Sequence, residues 1–192
     1  GGKFSKSRGV GVFGNTAKET GIDPDVWRYY LLSRRPETAD SEFKWQEFID
    51  ANNNDLLKNL GNLNQRILKF TRDRLDGVVP DYTKYTDERL EEHKKEVNEA
   101  LKTFISQFDA IKLRAGLASV MHISALGNKL LQDSKLNNQL LADEPDRCAA
   151  VIGLGINHLQ LLASIVHPYM PSTGEAILEQ IGSPGLISIP DT

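Results

Sequence analysis

A chain of 192 residues, 40% apolar and 26% charged, can bury a core and has the balance of a water-soluble globular protein. No apolar run approaches the roughly 18 residues that a membrane-crossing helix needs, and the opening is too polar for a secretory leader. A net charge of −3 excludes a uniformly basic nucleic-acid binder, and the single cysteine, Cys148, excludes an internal disulfide and fits a reducing compartment.

The charge is unevenly placed. Residues 1 to 35 hold seven Lys/Arg against three Asp/Glu, whereas residues 36 to 192 hold sixteen against twenty-three. A polyphosphate is therefore drawn to the first part, and RNA contact elsewhere requires a local face. The chain opens on Gly1 to Gly14, where Lys3, Ser5, Lys6 and Ser7 sit among glycines. Fixed positive charge, small hydroxyl donors and a backbone free to turn suit a loop that grips phosphates. Val10 to Phe13 supports at most a short strand. Asp23-Pro24 caps and opens a helix carrying Val26, Trp27, Tyr30 and Leu31, which ends at Arg35-Pro36. A linker follows, placing a boundary near residue 38.

Beyond it the periodicity is helical. Trp45, Phe48, Ile49, Leu56, Leu60, Leu63, Ile67 and Phe70 form one stripe, ending near Asp76-Gly77. Thr86 with Asp87 and Glu88 caps a second helix with Leu90, Val97, Leu101, Ile105 and Phe108 inward. A third spans about Ala110 to Leu131, and a fourth runs from Glu144-Pro145 to His167-Pro168. Ser172 and Glu175 form a capping box for a short last helix. The expected class is all-α: an antiparallel helical bundle over 39–182, preceded by a loop and connecting segment over 1–38 and followed by a flexible tail over 183–192.

On the long helix from Trp45, the residues Asp55, Asn59, Asn62, Arg66 and Lys69 fall on a second, outer face. Asparagine is a poor helix former, so its repetition there has a local cost. An amide and a guanidinium one turn apart, as in Asn62 and Arg66, can read base edges and stack on unpaired bases; a plain solvated face is the alternative. His93, His122, His158 and His167 lie singly on separate helices without metal-ligand spacing, as packing or surface residues.

Lys3-Phe4-Ser5-Lys6-Ser7 resembles the KMSKS signature of class I aminoacyl-tRNA synthetases, with Phe4 in place of methionine. The segments GKFSKSRGVGVFG (2–14), TGIDPDVWRYYLLSRRPE (20–37), NNNDLLKNLGNLNQR (52–66) and HPYMPS (167–172) are similar to eukaryotic cytosolic methionyl-tRNA synthetases. The resemblance implies an ATP-dependent ligase of the cytoplasm, joining methionine to initiator and elongator methionine tRNA. Lys6, supported by Lys3, would stabilise charge building on departing pyrophosphate, with Ser5 and Ser7 holding ATP; ATP would come with Mg2+, and no metal is expected on this chain itself. Asn62 and Arg66 match the family's readers of the CAU anticodon. Where many members have a Pro-Trp pair whose ring stacks on a base, this chain has Leu136-Asn137, with Lys135 and Asn137 near enough to reach RNA. No doubly wound nucleotide-binding half and no HIGH-like motif is present, so the chain reads as the later part of a larger enzyme, inactive in adenylate formation alone. Two other readings stay open: a helical scaffold module that docks other synthetases, and the equivalent part of a valyl, isoleucyl, leucyl or cysteinyl synthetase. No membrane partner is expected.

Overall fold

The computed structural model describes residues 5, 7–11, 13–37 and 40–185. Lys3 and Lys6, and the tail from 186 onward, lie outside the described residues. Among the described residues the architecture is all-α, with no strand. Of the strand expected at Val10–Phe13, Val12 lies outside the described residues and Val10 forms an isolated antiparallel bridge with Ser5. Ser5 N–H donates to the Val10 carbonyl (2.8 Å) and Val10 N–H to the Ser5 carbonyl (3.0 Å), with Gly9 at φ +63° closing the turn. Too few residues alternate to extend this pair into a ladder.

Helix α1 (Gly14–Glu19) was not foreseen from periodicity, because it buries nothing; Thr16 Oγ1 stabilises it by accepting from Phe13 N–H at 3.0 Å. Helix α2 (Pro24–Ser33) begins as expected, with Asp23 Oδ1 accepting from Asp25 N–H at 2.8 Å and Pro24 in its first turn. One continuous helical rod then runs from Trp45 to Arg74, in three parts: α3 (Trp45–Asp50), a π-helical segment (Ala51–Gly61) and α4 (Asn62–Arg74). The π-helical part coincides with the asparagine-rich stretch. There each N–H reaches back to the fifth residue rather than the fourth, which changes the side-chain register along the rod. Trp45 and Ile49, expected inside, are about half exposed on α3, while Phe48, Leu60, Leu63 and Ile67 are buried.

The rest of the bundle is α5 (Glu88–Asp109), α6 (Leu113–Asp133), α7 (Asn138–Asp143), α8 (Pro145–Val166) and α9 (Pro171–Gln180). Asp87, not Thr86, caps α5, its Oδ1 accepting from Leu90 N–H at 2.8 Å. The capping box expected at Ser172 does not form. Helix α9 starts on Pro171, and the Asp25 carboxylate from α2 reaches across to take both Thr173 N–H and Thr173 Oγ1–H at 2.7 Å. Arg28 completes this joint, donating from Nε to the Tyr169 carbonyl (2.7 Å) and from Nη2 to the Pro168 carbonyl (3.0 Å). The chain end of α8 and the start of α9 are thus satisfied by one acid and one base of α2.

Packing is continuous across residue 38. Trp27 and Tyr30 of α2 meet Phe48 of α3 with ring centroids 4.6 and 5.3 Å apart, and Phe43 stacks on Trp27 at 5.9 Å. Helices α6 and α8 form the centre, with ten of the 21 residues of α6 and thirteen of the 22 of α8 buried. Helix α8 is long and apolar enough to cross a membrane by length and composition, a match that scanning for unbroken apolar runs misses; 72% of that stretch is buried inside the bundle.

Candidate nucleic-acid interface

The rod from Trp45 to Arg74 packs its inner side on α6 through Leu63, whose Cδ2 lies where a Cβ on Gly127 would sit, 2.6 Å away. This close approach brings backbone and amide groups of the two helices together. Asn128 Nδ2 donates to the Asn59 carbonyl (2.9 Å) and contacts Asn59 Oδ1 at 3.3 Å; Asn59 Nδ2 donates to the Met121 carbonyl (2.9 Å); Asn62 Nδ2 donates to Asn128 Oδ1 (2.9 Å). Backbone carbonyls only accept, so two of these bonds fix which end of Asn59 and Asn128 is the NH2. Asn128 must then offer its oxygen to Asn62, and Asn62 must donate. The side-chain orientation of Asn62 follows from the network. Its Oδ1 takes no hydrogen bond among the described residues and keeps contact with solvent.

The outer face read from the sequence is therefore divided. Asp55 accepts from Tyr29 O–H at 2.7 Å, and Asn59 is committed to α6, so neither is free for a ligand. Burial, reinforced by the Asp55 carboxylate, pushes the Tyr29 hydroxyl far above its ordinary range, so it stays a donor. Asn62 is held at the edge of the interface with an acceptor outward. Arg66, one turn on, is half-buried and makes no hydrogen bond or ion pair among the described residues. Along α6, Asn62 meets Asn128 and Leu63 lies against Gly127, and the turn before α7 follows the end of that helix.

That turn is where an aromatic platform was missing from the sequence. Asn137 is the cap of α7, its Oδ1 accepting from Leu140 N–H at 2.9 Å. That oxygen is engaged in the cap, while the side-chain NH2 of Asn137 makes no hydrogen bond among the described residues. Leu136 packs against the core, and Lys135 is exposed at φ +50°. Asn128 was not singled out from the sequence; an asparagine on a largely apolar helix, next to Gly127, is the signal that marks it.

Of the loop residues, Ser5 and Ser7 are described, and their hydroxyl oxygens lie 3.3 Å apart on one side of the turn. Arg8 is exposed nearby. The histidines are not all single. His93 and His158 pack ring to ring at 5.2 Å inside the bundle, and His158 Nε2 bonds the Ile123 carbonyl at 2.8 Å. Burial holds both below the ordinary imidazole range, His93 at about 4 and His158 at about 3. Among the described residues no three His, Cys, Asp or Glu side chains gather as a metal site.

Residues 1–68 match the family described as tRNA synthetases class I (M), and residues 79–187 match the anticodon binding domain of methionyl tRNA ligase. The chain is 50% identical, over its full length, to the probable cytoplasmic methionine–tRNA ligase of Schizosaccharomyces pombe, of which it covers 25%. It is 44% identical to the cytoplasmic methionine–tRNA ligase of Saccharomyces cerevisiae, covering 96% of this chain and 25% of that protein. The chain thus spans about a quarter of the length of these curated relatives. The fold matches Mycobacterium tuberculosis methionyl-tRNA synthetase in complex with methionyl-adenylate with a TM-score of 0.78 at 23% identity, over 97% of this chain and 40% of that one. The helical fold is thus shared, and the family matches over 1–68 and 79–187 establish that this chain belongs to the methionyl-tRNA synthetase family and carries its anticodon-binding domain.

Proposed function

We propose that the chain is the tRNA-recognition part of a cytoplasmic methionine–tRNA ligase, reading the CAU anticodon with Asn62 and Arg66. The supporting observation is that Asn128 fixes the Asn62 amide, whose oxygen takes no hydrogen bond among the described residues, one turn from the half-buried Arg66, which makes no hydrogen bond or ion pair among them. An outward amide oxygen accepts from an exocyclic amine, which cytosine and adenine carry and uracil lacks. The guanidinium supplies donors for the neighbouring base oxygens and a flat surface for stacking. Both groups sit on helices rather than on loops, so little side-chain freedom is lost when a base arrives.

In the intact ligase the Ser5–Val10 turn would lie over ATP. Lys6, with Lys3, would meet the negative charge that grows on pyrophosphate as methionine attacks the α-phosphate, and Ser5 and Ser7 would hold the triphosphate. ATP with its Mg2+, methionine, and initiator and elongator methionine tRNA are the proposed partners. Lys3 and Lys6 lie outside the described residues, so this part rests on the signature.

The test is binding of a CAU anticodon hairpin and of single-base variants to the chain. Asn62→Ala and Arg66→Ala together are expected to weaken the cognate hairpin at least tenfold and to flatten discrimination among anticodons. Unchanged discrimination would sink the reading. A second reading, a helical docking module, draws on the half-exposed Trp45 and Ile49 above the aromatic cluster. Under that reading Trp45→Ser with Ile49→Ser would abolish association with another synthetase while hairpin binding survived Asn62→Ala.

A further inference from the structure

An acidic protein needs a local positive face to hold RNA, and α4 concentrates one. Within Asn62–Arg74 lie Arg66, Lys69, Arg72 and Arg74 against a single acid, Asp73, in a chain whose net charge is −3. Arg72 Nε holds Asp73 Oδ1 at 2.7 Å, so the one acid on the helix is already paired. Lys69 and Arg74 are exposed and make neither a hydrogen bond nor a close ion pair among the described residues. Lys69 stands at the edge of an open hollow of about 540 Å³ that also takes in Gln65, Arg72 and Gln180.

Helical geometry sets the spacing. Lys69 stands about 4.5 Å and Arg74 about 12 Å along the axis from Arg66. Around the helix Lys69 and Arg74 are about 140° apart, one on either side of Arg66, so a strand lying over Arg66 passes between them. Among the described residues Lys69 and Arg74 act on the Asp73 carboxylate only at a distance, so they give up no close ion pair when a phosphate arrives, and they release counterions from the RNA. Cations in the last turn also favour the helix dipole, but only by a few tenths of a kcal/mol, and Lys69 lies before that turn.

We infer that Lys69 and Arg74 bind the phosphate backbone of the RNA whose bases meet Asn62 and Arg66, positioning the strand without reading its sequence. The inference rests on the proposed anticodon reading and extends it from base edges to backbone. It gives the two groups of residues separable effects.

The experiment measures binding of the CAU hairpin and of a hairpin with an altered anticodon, each at several salt concentrations. For Lys69→Gln with Arg74→Gln, affinity for both hairpins should fall by the same factor, and the slope of log K against log salt should become shallower by about 1.5. The ratio between the two hairpins should stay as in the unaltered chain. Lys95→Gln with Lys102→Gln on α5 makes the same charge change at exposed sites elsewhere and should leave the slope in place. Overturning results are an unchanged slope in the α4 variant, a loss confined to the cognate hairpin, or an equal loss in the α5 variant. Circular dichroism on both variants verifies that the helices persist. If instead Asn62→Ala with Arg66→Ala leaves discrimination intact while the α4 variant lowers the slope, the base-reading proposal fails and the backbone contact stands.

Discussion

His93 illustrates how little a residue's own position says about its role. Both of its ring nitrogens are buried without a partner, beside His158 and within reach of Arg89, Glu96 and Lys129. Desolvation keeps the pair neutral, and in the unfolded chain each imidazole titrates near its ordinary value of about 6.5. The unfolded state therefore binds more protons between that value and about 4, and stability falls as pH drops through this window. Thermal unfolding should move to lower temperature between pH 7 and pH 4, and His93→Leu should lessen that shift while leaving stability at pH 7 unchanged or raised, because an unpaired buried polar group is removed. At the RNA face, Arg66→Lys is not expected to rescue Arg66→Ala, since an ammonium has neither the planar fork nor the stacking surface. Competition binding with altered anticodons reads this directly.

Between elements, two contacts decide where the helices sit. Gly127 admits Leu63 and the His158 ring so closely that an added Cβ would lie 2.6 and 2.9 Å from them. Gly127→Ala should push α4 away from α6, costing about 1–3 kcal/mol in urea unfolding. It should also disturb the adjacent Asn128–Asn62 bond, so hairpin affinity should fall more than the stability loss alone explains. The joint between α2 and the α8–α9 corner is the other contact. Asp25→Ala strands Thr173 N–H and its hydroxyl and should cost about 1–3 kcal/mol, with amide exchange rising first in α9. Asp25→Asn retains an acceptor and should recover part of that loss. This joint fixes to the bundle the helix into which the Ser5–Val10 turn leads through α1.

For the molecule as a whole, the described residues form helices around α6 and α8 with no sheet to hold a nucleotide. The chain by itself is therefore expected to show no methionine-dependent pyrophosphate exchange while still binding the anticodon hairpin; exchange above background would contradict this. The sequence was enough to determine that the chain is helical, where α2 and α8 begin, and which family it resembles, because caps, prolines and signature residues act locally and are legible one turn at a time. It also brought Asn62 and Arg66 forward as a pair. Only the tertiary structure decided that Asn59 and Asp55 serve the interior, that Asn128 turns the Asn62 oxygen outward, that Asp25 caps a helix 148 residues away, and that two histidines on different helices share one buried site. The physical reason is that periodicity gives the direction of a side chain from its own helix axis and says nothing of which neighbour covers it. Across the π-helical turn of Ala51–Gly61 even that direction departs from the ordinary helical repeat.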